Sequence, residues 1–299
     1  MNPRPPKNIY PTSKEDAAVA EREVPVTPQT VSPSYRLSYT DIDFLMKEEL
    51  RPVRLQLELL KPELLLQEYG IDGTVVVFGG SRIPEPKVAA ENLARLREAA
   101  AKEPENSDLQ RQVSVAERIV AKSHYYDEAR RLGALVSQVC DRRSGCNLIV
   151  ITGGGPGIME AANRGANDIG AKSMGLNIVL PHEQAPNTYI SPELCFQFHY
   201  FSIRKMHFLM RAQALVAFPG GYGTLDELFE TLTLIQTKKI EPLPVLLFGR
   251  EFWQKVIDFD FLVEEGVISP EDIHIFQFVE TAEEAVAIID KFYGRETKV

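Results

Sequence analysis

Short unbroken apolar runs, spaced by longer stretches of helical periodicity, set the predicted architecture. Thr74-Val-Val-Val-Phe78, Asn147-Leu-Ile-Val-Ile-Thr152, Ser173 to Leu180, Ala214-Leu-Val-Ala217 and Pro244-Val-Leu-Leu-Phe248 read as buried strands. Cys195 to His199 alternates like a short half-exposed strand, and a last strand is expected near Ile275 to Val279. Between them, helices are expected over Tyr125 to Val139, through Ala161, Ala162 and Ala166, over Ile203 to Ala212, from Leu225, over Phe252 to Glu265 and over Ala282 to Phe292. Strands that alternate with helices predict an α/β fold, a parallel sheet with helices on both faces.

The chain ahead of this core reads differently. Residues 1–38 are rich in Pro, Ser, Thr and charge, too poor in apolar surface to offset their ordering entropy, and read as a disordered tail. Residues 39–70 form an N-terminal helical extension that starts near Thr40 and Asp43, with interruptions expected near Pro52 and Pro62. Val53, Leu57, Leu60 and Leu64 make one apolar stripe on it, expected to pack on the chain's own core or on a helix of a second subunit. The main domain then covers 71–294, with a charged, alanine-rich helical insertion at 86–122 and a capping box from Ser107 to Gln110.

Composition narrows the classes of function. The net charge of -9 argues against general binding to nucleic acid or anionic membranes, while leaving room for one local basic pocket. Three cysteines without metal spacing suggest a reducing compartment. With no apolar run near the roughly 20 residues of a membrane span and no signal peptide, the expectation is a cytoplasmic protein.

The chemistry gathers at three glycine turns, each following a buried strand: Gly79-Gly80-Ser81-Arg82, Gly153-Gly154-Gly155-Pro156-Gly157 and Gly220-Gly221-Tyr222-Gly223. In open parallel sheets, ligands bind beyond the carboxyl ends of the strands. Glycine lets backbone N–H groups approach an oxyanion, and a helix start adds unpaired donors. The three turns together point to a nucleotide or sugar-phosphate site. Thr224 is placed to cap a helix from Leu225, which would put Asp226 and Glu227 in its first turn. There the two carboxylates either complement the helix dipole or do chemistry beside a phosphate.

Glu160 stands where a dinucleotide fingerprint has its third glycine, and no Gly-Lys-Ser/Thr follows any turn, which disfavours NAD and P-loop chemistry. Arg204-Lys205 opens the helix before the Ala214 strand, where cations oppose the dipole. They read as a phosphate clamp or as a guanidinium holding a reacting carboxylate, against a solvated helix start or pairing with Glu193. Glu183 lies past a strand at the same edge, where an ordinary loop carboxylate is the simpler reading, and core packing is the default for Thr233. His182, His199 and His207 show no metal spacing, so no metal is expected.

Thr152-Gly-Gly-Gly-Pro-Gly-Ile-Met-Glu160, Arg204-Lys205 and Pro219-Gly-Gly-Tyr-Gly-Thr-Leu-Asp-Glu227 resemble the signature of the LOG ("Lonely guy") proteins, cytokinin riboside monophosphate phosphoribohydrolases. The resemblance covers about Ile71 to Tyr293. It implies a Rossmann-like fold, a homodimer or higher homo-oligomer, no cofactor, and hydrolysis of the N-glycosidic bond of a nucleoside 5′-monophosphate. It implies catalytic roles for Arg204 and Glu227, and substrate contacts at Glu183, Lys205, Gly221, Tyr222, Gly223, Thr224, Leu225, Asp226 and Thr233. Gly80, Ser81, Arg82, Gly153, Gly154, Gly155, Glu160 and Gly220 join these as substrate-site candidates from the glycine turns. The extension and the insertion resemble the longer bacterial members more than the compact plant ones. Two other classes stay open: a nucleotide sensor that uses the same pocket without turnover, and a pyridoxal-phosphate decarboxylase, for which no lysine stands in an evident Schiff-base setting.

Overall fold

The computed structural model describes residues 10–22, 25–141, 148–181 and 185–294. It divides into two compact units, Met1–Glu58 and Leu59–Val299.

The first unit buries almost nothing. Helix α1, Ser13–Ala20, forms within the segment expected to be a tail, because Thr12 and Glu15 close a reciprocal capping box at its start. None of its residues is buried. The next helix, α2, is Ile42–Leu45, and its cap is Asp41, which accepts a hydrogen bond from the Phe44 backbone, not the expected Thr40. Helix α3, Arg51–Glu68, runs through both prolines that were expected to interrupt it. Pro52 falls in its first turn, where a missing N–H costs nothing, and Pro62 sits buried within it. The stripe on α3 does not reach a core: Val53, Leu57, Leu60 and Leu64 are 37%, 52%, 52% and 60% exposed.

The second unit is an α/β Rossmann-like sheet. Its elements follow as β1 (Gly73–Phe78), α4 (Pro86–Lys102), α5 (Ser107–Lys122), α6 (His124–Asp141), β2 (Leu148–Thr152), α7 (Ile158–Asp168), β3 (Ser173–Ile178) and β4 (Cys195–Phe198). Then come α8 (Phe201–Met210), β5 (Ala212–Ala217), α9 (Tyr222–Gln236), β6 (Val245–Phe248), α10 (Arg250–Val256), α11 (Phe259–Glu264), β7 (Phe276–Val279) and α12 (Ala282–Phe292). Asn147, expected to open β2, lies outside the described residues. The insertion is the helix pair α4 and α5, whose second member is capped by Asn106 rather than by Ser107. The single helix expected over Phe252 to Glu265 is broken in two, with Asp258 capping α11.

All seven strands are parallel, in the order β4-β3-β2-β1-β5-β6-β7. Because side chains alternate along a strand, each strand feeds two cores. Val75, Val77 and Val216 pack on one face with Ala129 and Leu132 of α6, Ala162 of α7 and Ile289 of α12. Val76, Phe78 and Leu215 pack on the other with Leu66 of α3, Phe208 of α8, Leu228 of α9 and Trp253 of α10. The strand order reverses between β1 and β5. A ligand crevice is expected at that reversal, beyond the carboxyl ends of both strands.

Candidate active site

The three glycine turns meet at that reversal. The Phe218 N–H donates to the Phe78 carbonyl at 2.8 Å, the Gly80 N–H to the Pro219 carbonyl at 2.9 Å, and the Ile158 N–H to the Gly80 carbonyl at 3.3 Å. These bonds stitch the ends of β1 and β5 to the start of α7. Glycine is required where they touch. Gly157 holds φ of 71° at the cap of α7, and a Cβ there would lie 2.5 Å from the Gly80 carbonyl oxygen. Gly154, at φ of 77°, would drive a Cβ to 2.1 Å from Oδ1 of Asn177.

Beyond the turns lies a cavity of about 270 Å³, near the lower end of the roughly 300–1,000 Å³ usual for small-molecule sites. Phe78, Gly79, Gly80 and Ser81 form one wall, Met159, Phe201 and Arg204 a second, and Gly221, Gly223, Thr224, Asp226 and Glu227 a third. Helix α9 begins at Tyr222 with Gly221 as its cap, three residues before the expected start, and Thr224 makes no side-chain cap. Asp226 and Glu227 therefore lie beyond the first turn. A dipole explanation for Glu227 weakens accordingly, since the effect is confined to the helix end.

Arg204 and Glu227 are both buried, 9% and 4% exposed. The Arg204 guanidinium donates from Nε to the Leu176 carbonyl of β3 at 2.8 Å and lies over the Phe208 ring, 5.0 Å from its centroid. Burial pulls its pKa below that of a free guanidinium, and the charge of Glu227 opposes that fall. Glu227 is pushed up to about 7, chiefly because burial penalises its charged form, while Lys205 and Arg204 pull it back down. A carboxyl that titrates near neutrality can exchange a proton with a substrate at working pH.

The other expected residues divide. Gly80, Ser81, Gly221, Gly223, Thr224 and Asp226 border the cavity. Gly153 lies against Arg204, Gly155 against Met159, and Gly220 against Thr224. Lys205 does not border it; its Nζ donates to Asp226 at 3.0 Å and pairs with Glu230 at 3.1 Å. Its ammonium is held protonated: burial works against the charge, but the two carboxylates outweigh it. Glu193, weighed as a partner for this pair of cations, binds Lys172 instead. Glu160 accepts a hydrogen bond from Tyr126 at 3.0 Å, in a cluster with Arg164 and Glu85. Burial, with Glu160 opposite, raises the Tyr126 phenol to about 12. Arg82 is exposed, Tyr222 is 92% exposed, and Leu225 and Thr233 border a separate groove with Phe229. Glu183 lies outside the described residues.

Several residues at or under the site were given no role. Met159, inside the second glycine motif, and Phe201, in the aromatic run before Arg204, line the cavity. Beneath the second glycine turn, Asn163 is fully buried and accepts from Thr152 at 2.7 Å and from Asn187 at 3.0 Å, while it donates to Ser173 at 3.0 Å. Asn187 also donates to the Gly154 and Gly155 carbonyls, each at 3.2 Å. A signal for Asn163 existed, an uncharged polar residue beside Ala161 and Ala162 and one turn before Ala166; Asn187 offered none.

Comparison with known proteins identifies the family. A family profile described as "Possible lysine decarboxylase" matches residues 159–289. The chain is 32% identical over 183 residues to cytokinin riboside 5′-monophosphate phosphoribohydrolase LOG1 of Arabidopsis thaliana, covering 60% of this chain and 81% of that protein. It is 32% identical to LOG3 of the same plant, covering 57% and 77% respectively. The chain belongs to the LOG family. A probable rice member of the family, LOGL2 of Oryza sativa subsp. japonica, is 29% identical, over 60% of this chain and 70% of its own length. In this LOG chain, Arg204 and Glu227 border one cavity at the sheet reversal. Among the described residues, no helix is long and apolar enough to cross a membrane, and no cluster of His, Cys, Asp or Glu could hold a metal ion.

Proposed function

We propose that this LOG protein hydrolyses the N-glycosidic bond of a purine ribonucleoside 5′-monophosphate, AMP or an N6-modified AMP, to free base and ribose 5-phosphate. The observation that carries the reading is that Arg204 and Glu227 are both buried and border one cavity walled by glycine turns. The relatives named as phosphoribohydrolases support the reaction class.

In this reaction the bond between ribose C1′ and the base nitrogen breaks, and its electron pair leaves with the base. Water forms the new bond to C1′ and gives up a proton, and the departing nitrogen takes one up. Positive charge builds on the ribose as the bond opens. Ionised Glu227 faces that charge and takes the proton of the attacking water. Arg204 does not act as an acid, because a guanidinium keeps its proton at working pH. Fixed by the Leu176 carbonyl, it balances Glu227 and attracts the phosphate. The N–H groups of Gly221, Tyr222 and Gly223 precede the first donor bonded within α9, that of Thr224, and donate to the phosphate oxygens. Lys205 is a poor imine-forming lysine, since its ammonium is committed to two carboxylates.

The protein acts on small molecules, in the cytoplasm, as a homodimer or higher homo-oligomer; the exposed stripe on α3 supports self-association. The test is incubation with a panel of nucleoside monophosphates and nucleosides, with free base as the readout. AMP is expected to be cleaved far better than adenosine, because each lost charge-assisted phosphate contact costs roughly 1.5–3 kcal/mol. Equal turnover of the two would sink the phosphate-cradle reading.

A further inference from the structure

We propose that Lys205 is a positioning residue that bridges Asp226 and Glu230 to hold α9 against α8, so that Glu227 and Arg204 face one cavity, and that it does not bind the substrate phosphate. The inference rests on the hydrolase reading above.

The geometry is a double register across two helices. On α8, Arg204 and Lys205 are neighbours; on α9, Asp226 and Glu227 are neighbours. Arg204 and Glu227 border the cavity. Lys205 stands beside it, 3.0 Å from Asp226 Oδ1 and 3.1 Å from Glu230 Oε2. Asp226 and Glu230 are four residues apart, so their carboxylates lie on one face of α9, one turn apart. A single ammonium between them spans that turn and resists both sliding and rotation of the helix. Arg204 is already anchored to β3 through the Leu176 carbonyl. Lys205, one residue later, therefore ties α9 to an element fixed in the sheet.

The same contacts argue against a phosphate ligand. To reach a phosphate, the ammonium would have to leave its carboxylates: Asp226, whose side chain is 56% exposed, would be rehydrated, but Glu230, 30% exposed and with Oε2 buried, would be left partly buried without its cation. The cation also lies close enough to Glu227 to oppose the rise that burial imposes on that carboxyl. Removing it moves Glu227 toward the protonated form.

The experiment uses the full chain with Lys205→Met, Lys205→Arg and Asp226→Asn, each checked for a native melting transition. Turnover of AMP, calorimetric affinity for ribose 5-phosphate, and the carboxyl titration of Glu227 by carbon NMR, assigned against Glu227→Gln, are measured. Lys205→Met is expected to lower kcat at least about tenfold, to leave ribose 5-phosphate affinity within about twofold, and to raise the Glu227 midpoint. Lys205→Arg should restore turnover, because a guanidinium also bridges two carboxylates. Asp226→Asn should lower kcat as well; a phosphate-binding lysine, freed from one carboxylate, would instead bind ribose 5-phosphate more tightly. Full turnover in Lys205→Met overturns the proposal, as does a tenfold weaker ribose 5-phosphate affinity with an unmoved Glu227 midpoint. If the unaltered protein releases no base from any nucleoside monophosphate, the hydrolase reading fails. The Glu227 titration then still judges Lys205, and an unmoved midpoint in Lys205→Met counts against it.

Discussion

A Cβ on Gly153 would sit 2.8 Å from Nη2 of Arg204, so the second glycine turn and the buried guanidinium are built against each other. Arg204 cannot retreat freely, because its Nε is bonded to the Leu176 carbonyl. Gly153→Ala should therefore displace the guanidinium rather than be absorbed. Turnover is expected to fall by about 10- to 100-fold, since a displacement near 1 Å can cost that much. Steady-state kinetics with AMP check it; unchanged kcat would show that Arg204 is mobile or idle.

Glu227→Gln keeps the shape of the side chain and removes its charge. If the carboxylate acts in the transition state, turnover drops by at least about 100-fold, or roughly 2.7 kcal/mol. AMP binding should persist or tighten, because an anion beside the phosphate is gone. Near-normal turnover would remove the proposed catalytic carboxylate.

The same substitution makes a prediction about stability and pH. Glu227 titrates near 7 in the fold, chiefly through burial, against 4.5 for a free glutamate. Between those values the folded chain holds a proton that the unfolded chain has released, so stability falls as pH rises across the window. Glu227→Gln should lose this pH dependence and gain on the order of 2–3 kcal/mol relative to the unaltered chain at pH above 7, with little gain near pH 4. Denaturant melts at both pH values decide it. An equal effect at each would mean that Glu227 is not held high.

Asn163→Ala should destabilise the fold by about 2–4 kcal/mol, since Thr152, Ser173 and Asn187 each lose a buried partner. The loss should appear in the melting temperature. A neutral result would show that water replaces the amide.

The exposed stripe on α3 predicts association of copies. Light scattering is expected to give a mass above the 33.6 kDa of one chain. Leu57→Glu with Leu64→Glu, at positions 52% and 60% exposed, should shift it to that value without unfolding. A monomer before substitution would contradict the oligomer.

Much of the frame was readable along the chain. Val75, Val150 and Val216 sit in unbroken apolar runs because parallel strands covered on both faces need apolar residues at every position. The glycines after those runs mark where backbones come too close for a side chain, which is how the site's edge could be named before its shape. Arg204 and Glu227 stood out as charges at helix starts beside the glycine turns, and the resemblance of their motifs gave them catalytic roles; composition and periodicity said nothing of their burial.

What only the tertiary structure decided depends on neighbours far apart in sequence. Lys205 follows Arg204 directly, yet one pairs with carboxylates on α9 and the other with a carbonyl on β3. Two side chains adjacent on a helix point in different directions, and their partners are chosen by packing. The stripe from Val53 to Leu64 has helical periodicity whether or not anything covers it; periodicity reports a face, not its partner. The start of α9 moved to Tyr222 because Gly221 can act as a cap without a side chain, a role no side-chain signal announces. Glu227 owes its poise near neutrality to desolvation by walls drawn from four separate segments, and desolvation exists only once those walls have closed.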